Sequence, residues 1–222
     1  MLRCVLLLLA APAFGQEFHA GIKAGVPLTE YFETGSAGGL HGSADYSAAT
    51  RRYTVGATGE WRLGSFGLEF DALYHRMGYV AIVHSIDSAT GSYRDSAIDV
   101  KGNSWDFPLM AKYRFGGAIR PYVAAGGVMR YVGPVRGKGE QTVGSLASGT
   151  SSTTPLDTTD PSELRKRFYP GVTAAAGVET GVGHFRLSPE FRYTRWTANI
   201  GGPGELLRFA PDQVEFLVGV LF

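Results

Sequence analysis

The stretch RYTVGATGEWRLGSFGLEFDALY, residues 52–74, decides how the rest of the chain is read. In its first half Tyr53, Val55, Ala57, Gly59, Trp61 and Leu63 alternate with Arg52, Thr54, Gly56, Thr58, Glu60 and Arg62. After Gly64-Ser65 the alternation resumes, with Phe66, Leu68, Phe70, Ala72 and Tyr74 set against Gly67, Glu69, Asp71, Leu73 and His75. Successive side chains of a strand point to opposite faces, so this period of two predicts two strands, each with an apolar and a polar face. A Gly-led link of two residues is what a tight hairpin needs. Strands of this length exceed the ~5–6 residues usual in soluble sheets. They match the ~9–11 residues with which a tilted strand crosses a bilayer.

The same pattern recurs along the chain. Phe18, Ala20, Ile22, Ala24, Val26 and Leu28 alternate with Glu17, His19, Gly21, Lys23 and Gly25. Trp105, Phe107, Leu109, Ala111, Tyr113 and Phe115 alternate with Ser104, Asp106, Pro108, Met110, Lys112 and Arg114. Further strands are predicted over residues 121–131, 169–182, 185–196 and 214–222, which makes eight. Short links at Gly64-Ser65, 116–120 and Gly183-His184 alternate with long ones at 29–50, 78–102, 132–168 and 197–212. All the long links therefore leave from one end, as in outer-membrane barrels. The third is rich in Ser and Thr, eleven of the 21 residues from 142 to 162, and reads as a mobile loop.

Composition agrees and excludes other classes. The chain has 222 residues, 31 of them Gly, with 13 Phe, 11 Tyr and 3 Trp, too aromatic for a disordered protein. Its 21 Lys and Arg balance 20 Asp and Glu, which leaves no basic footprint for nucleic acid. One cysteine, Cys4, excludes a disulfide framework and a cysteine metal site. Residues 1–15 read as an export signal: Arg3, then an apolar run from Val5 to Ala11, then small residues at Ala13 and Gly15. Cys4 precedes the apolar run, which argues against a lipoprotein signal. No later segment offers the ~20 continuous apolar residues of a membrane helix.

Which face looks outward is decided by position. Phe18, Trp61, Phe66, Phe115, Phe185 and Phe222 are predicted at the turn end of the apolar faces, and Tyr53, Tyr74, Trp105, Tyr131, Tyr169 and Tyr193 at the other. Two aromatic levels fit the two interfaces of a bilayer. The polar face then fills the inside, with Glu60, Arg62, Glu69, Asp71, Asp106, Lys112, Arg114, Glu179, Arg186, Glu190, Arg192 and Glu215 expected to pair across it. A soluble lipocalin-like carrier, apolar inside, is the opposite reading of the same alternation.

On Phe107-Pro-Leu-Met-Ala-Lys-Tyr-Arg-Phe115, Arg120-Pro-Tyr-Val-Ala-Ala-Gly-Gly127 and Glu190-Phe-Arg-Tyr193 the chain resembles the outer-membrane β-barrel domain family, small barrels akin to outer membrane proteins A and X. The terminal strand, with Val218, Val220 and Phe222 at alternate positions, is similar to the sorting signal read by the barrel-assembly machinery. The resemblance implies a scaffold more than an activity. Some barrels of this size modify lipid A with His and Ser, and His84-Ser85 followed by Asp87 invites that alternative. His75, on the inward face, reads as a hydrogen-bonding residue, and the Arg165-Lys166-Arg167 triplet as the one concentrated charge near the long links.

The expectation is an all-β, eight-stranded antiparallel up-and-down transmembrane barrel over residues 16–222. It is expected to be a monomer in the bacterial outer membrane, without cofactor, metal or catalytic residues, among membrane lipids and lipopolysaccharide. Its long loops should be extracellular and both mature termini periplasmic.

Overall fold

A computed structural model of the chain describes residues 16–33, 35–117, 119–159, 167–197 and 207–222. Residues 1–15, read above as an export signal, lie outside the described residues. Thirteen strands are present among the described residues: β1 (Gln16–Pro27), β2 (Phe32–Glu33), β3 (Gly35–Gly39), β4 (Gly42–Ala48), β5 (Arg51–Leu63), β6 (Phe66–Asp87), β7 (Ser92–Arg114), β8 (Arg120–Ser145), β9 (Thr150–Thr159), β10 (Phe168–Val182), β11 (Phe185–Trp196), β12 (Arg208–Phe209) and β13 (Asp212–Leu221).

Eight of them close a ring in the order β1, β5, β6, β7, β8, β10, β11, β13 and back to β1, every pairing antiparallel. Closure leaves the wall without an unpaired edge. Gly64 and Gly183 take left-handed backbone, φ +62° and +64°, at two of the short turns, where a side chain would be strained. Gln16 pairs beside Leu63 and the Phe222 amide donates to the Ala20 carbonyl, so both described ends of the chain sit at the short-turn end.

Three of the stretches predicted as loops, 29–50, 78–102 and 132–168, are largely strand. β6, β7 and β8 run on for 22, 23 and 26 residues. Beyond the ring they pair with β4 and β9, and β3 pairs with β4, giving a projecting sheet in the order β3, β4, β6, β7, β8, β9. The Ser/Thr-rich stretch expected to be mobile pairs residues 150–159 with 136–145, and the Thr142 and Thr153 hydroxyls meet at 2.9 Å. β-Branched Thr suits a pleated surface, and that preference outweighs the low-complexity composition here. Residues 160–162 of that stretch lie outside the described residues.

Where the wall becomes the projecting sheet, Gly102 of β7 faces Val135 while Ser104 faces Val132. One residue, Asn103, thus opposes two, a bulge at Gly133-Pro134 of β8. Pro cannot donate to a ladder, so a bulge is where it fits.

The outer wall is apolar, with Ile22, Val55, Leu68, Phe107, Leu109, Val123, Val172 and Phe191 exposed on it. Aromatic rings cluster at its turn end: Phe18 on Trp61 at 5.5 Å, Phe66 on Tyr113 at 5.0 Å, Phe185 on Phe222 at 5.5 Å. At the other end Tyr74 packs between Tyr53, 6.3 Å away, and Trp105, 5.3 Å away, and Tyr131 packs on Phe168 at 5.2 Å. Tyr169 does not join this rim. It is out of phase with the outward Val172, stands opposite inward-pointing Arg130, and is buried inside the ring.

Adjacent glycines on β8 separate curvature from mere tolerance. A Cβ on Gly126 would lie 1.9 Å from the Leu109 carbonyl oxygen, whereas one on Gly127 meets nothing within 4 Å. Gly126→Ala should therefore destabilise the folded barrel by about 1–3 kcal/mol, and Gly127→Ala should leave it nearly unchanged. Urea unfolding in detergent, followed by tryptophan emission, reads both.

Candidate functional site

The ring is filled in layers, beginning at the turn end. Arg114 holds Glu179 with two bonds, Nε to Oε2 at 2.8 Å and Nη2 to Oε1 at 3.0 Å, and it also pairs with Glu60. Arg62 reaches the same Glu179 at 2.8 Å. These side chains come from β5, β7 and β10, so the pairs bridge the inside instead of running along one strand. In the next layer Lys112 Nζ donates to Glu69 at 2.8 Å, lies 3.0 Å from Glu179, and sits 3.9 Å above the Tyr122 ring. Lys23 contacts Glu69, Asp71 and Glu190, the last two at 3.3 and 3.2 Å. Arg192 donates to Asp71 at 2.7 Å and Glu190 at 2.6 Å, and the Tyr122 hydroxyl donates to Glu190 at 2.6 Å. All of these groups are buried.

The layer above turns from charge to aromatic carbon. Arg130 makes a two-bond pair with Asp106, both at 2.7 Å, and donates to Gln213 at 2.9 Å. Its guanidinium also lies 4.1 Å from the Trp196 ring centre and 4.6 Å from that of Tyr31. His75 stands 3.2 Å from Asp106, and its other ring nitrogen meets the Thr54 hydroxyl at 3.0 Å, which in turn donates to Glu215 at 2.7 Å. Above Arg130 the inside is apolar. Tyr31, Phe32, Met77, Tyr79, Val100, Val132, Val135, Tyr169, Trp196, Leu207 and Phe209 form one buried cluster. Its centre comes from the short pair β2 and β12, in which Phe32 stacks on Phe209 at 5.2 Å. Burial holds the Tyr31 phenol well above its ordinary pKa, so this hydroxyl stays neutral in the plug.

Eleven of the twelve side chains expected to face inward are buried. Arg186 is the exception. It lies near the turn end, where the strand is leaving the ring, 29% of its side chain is exposed, and its nearest carboxylate is Glu17 at 3.7 Å. Two buried cations were not in the expected set, Lys23 and Arg130. Both were legible, since Lys23 alternates with Ile22 and Ala24, and Arg130 shares the parity of Tyr122 and Ala124. The aromatic plug carries no such signal. Val218 and Val220 alternate with buried Leu217, Gly219 and Leu221, and Phe222 is exposed beside Phe185.

The acyltransferase-like trio does not assemble. Neighbouring residues of a strand point to opposite faces. His84 bonds Asp95 across β6 and β7 at 2.9 Å, while the Ser85 hydroxyl goes to the Arg94 carbonyl at 3.4 Å. Asp87 closes a turn, accepting from the Ala89 amide and the Thr90 hydroxyl at 2.9 Å, bonds that hold its carboxyl below the usual range. Among the described residues no three His, Cys, Asp or Glu side chains converge as a metal would require. Arg165 and Lys166 lie outside the described residues, and Arg167 donates to the Gly133 carbonyl at 2.7 Å.

No family model matches the sequence, and no curated protein does. Solved structures do. The chain is similar to Neisserial surface protein A at 16% identity over 94% of this chain and 100% of that one, TM-score 0.38. It is similar to Ail, the attachment invasion locus protein of Yersinia pestis, at 12% identity over 93% and 99%, TM-score 0.39. Similarity to the outer membrane protein OprG from Pseudomonas aeruginosa is 17% over 93% and 94%, TM-score 0.49. At such identities the likeness concerns architecture alone.

Glu69 accepts from three buried cations, Lys23, Lys112 and Arg192. Glu69→Gln leaves them short of a counter-charge and should cost about 3–5 kcal/mol, the penalty for breaking a buried pair. Arg186→Gln at the rim should stay within about 0.5 kcal/mol. Equal shifts of the two urea midpoints would contradict this layering.

Proposed function

We propose that the protein is a bacterial outer-membrane barrel with a closed interior, whose role is structural or lies in surface interactions of its projecting sheet. The observation that carries this reading is the sidedness of the ring. Apolar side chains with aromatic rims face out, while six cations and seven carboxylates are buried within, among the described residues. In water this arrangement would expose a continuous apolar belt far beyond what soluble monomers carry. A bilayer makes it favourable, because lipid covers the belt and the closed ring leaves no backbone group unpaired. A lipocalin-type carrier needs an apolar interior, so the charged layers argue against it.

The short-turn end, with both mature termini, is assigned to the periplasm, and the projecting sheet to the cell exterior, the arrangement usual for short turns and long extensions. Residues 1–15 act as the export signal in this reading. Outward Val218, Val220 and Phe222 serve recognition by the barrel-assembly machinery. Surface interaction is preferred to lipid modification because His84 and Ser85 face opposite sides of β6.

An eight-stranded ring is just wide enough for its side chains to fill. Here two barriers lie in series, the paired charges and the aromatic plug. The purified protein in planar bilayers should therefore show no steady, porin-like conductance. Phe32→Ala with Phe209→Ala thins only the plug and should leave the membrane resistance unchanged. Large steady currents from the wild-type protein, or its recovery in the soluble fraction without detergent, would overturn the proposal.

A further inference from the structure

On the outer wall, just above the Tyr74 and Trp105 rings, an open cleft of about 440 Å³ lies between β6, β7 and β8. Four cations line it, Arg76, Lys101, Arg136 and Lys138, with one carboxylate, Asp99. Lys101 is bonded to Asp99 at 2.5 Å. Arg76, Arg136 and Lys138 have no ion-pair partner among the described residues, whereas the six cations buried inside the ring are all paired. Lys101 and Arg136 stand directly opposite each other in register. Like charges facing each other across a ladder destabilise a sheet unless an anion lies between them.

The bulge explains how this came about. Inward-pointing Arg130 and Val132 set the phase of β8, and unbroken alternation would carry Pro134, Arg136 and Lys138 inside as well. The extra residue at Gly133-Pro134 reverses the phase. Val135 is then buried, and the next two basic residues emerge beside Lys101 and Arg76. Bulges re-aim side chains, and this one gathers cations on the lipid side of the wall.

Height along the wall selects the ligand. Aromatic rims mark the membrane interface. Arg76 stands two residues above Tyr74 and Lys101 four above Trp105, roughly 7–13 Å at the rise of a strand, with Arg136 level with Lys101 and Lys138 two residues further out. That is the depth of lipid headgroups. We infer that the cleft holds the phosphate of a glycolipid of the surrounding leaflet, a lipid A-type headgroup, with Arg76 and Arg136 clamping its oxygens and Lys101 and Lys138 adding charge. Arginine favours such a planar, two-bond grip. The inference rests on the membrane reading above and adds a specific lipid site to it.

Trp105 gives a local readout. The variant Trp61→Phe with Trp196→Phe keeps Trp105 as its single tryptophan, and it is reconstituted in phosphatidylcholine vesicles doped with dansyl-labelled diphosphoryl lipid A. Energy transfer from Trp105 should exceed that to dansyl-labelled phosphatidylcholine. Adding Arg76→Gln with Arg136→Gln should weaken the lipid A affinity on the order of thirtyfold, the effect of two membrane-surface charges. Arg94→Gln, outside the cleft, should change nothing, and heat-modifiable gel mobility shows that each variant is folded. Equal transfer before and after the double substitution, or equal transfer to dephosphorylated lipid A, would overturn the site. Displacement by millimolar inorganic phosphate would overturn its assignment to a lipid. Failure of the wild-type barrel to insert into vesicles at all would overturn the membrane reading, and the site with it.

Discussion

Opposite charges meeting across the inside of the ring are the interaction on which the rest depends. Arg62 of β5 and Arg114 of β7 share Glu179 of β10, and Lys23 of β1 reaches Glu190 of β11. In a low dielectric each such group is costly alone and tolerable in company. The pairs do not make the barrel stable so much as single-valued, because a register slip of one residue would turn the slipped strand's cations and carboxylates onto the apolar outer face. The apolar belt and the charged interior are thus one constraint, seen from its two sides.

Arg130 joins the two halves of the interior. Its edge serves Asp106 and Gln213, and its faces serve Tyr31, Trp196 and Phe209. A planar guanidinium can do both at once, where a lysine ammonium would have to choose. The charged layers therefore pass into the aromatic plug without leaving a buried cation bare. Short strands β2 and β12, from two different connections, supply the rings that finish it.

Alternation made the wall and most of its filling legible in the sequence. Lys23 and Arg130 lay in plain phase and needed only the same rule applied evenly to β1 and β8. Tyr169 needed it too, since it is an odd-numbered neighbour of the even-numbered outward row on β10. Other features left weaker traces. The upper halves of β6, β7 and β8 exceed what a membrane crossing demands, so thickness gave no reason to extend them, and the Ser/Thr composition of β9 suggested disorder. The plug pair β2 and β12 is two residues long on each side, too short to show a period. The bulge at Gly133-Pro134 shifts phase by one residue, which alternation alone reports as a strand's end.

Sidedness is the central claim, and the three tryptophans test it most directly. Trp61 and Trp105 are exposed on the outer wall near opposite ends, while Trp196 is 5% exposed inside the ring against Arg130. Single-tryptophan variants, made by Trp→Phe changes at the other two positions, can be folded into vesicles of brominated phosphatidylcholine. Emission from Trp61 and from Trp105 should be strongly quenched, and that from Trp196 should be left nearly intact. Quenching of Trp196 with Trp61 and Trp105 spared would mean that the wall is turned the other way, and the account would fail.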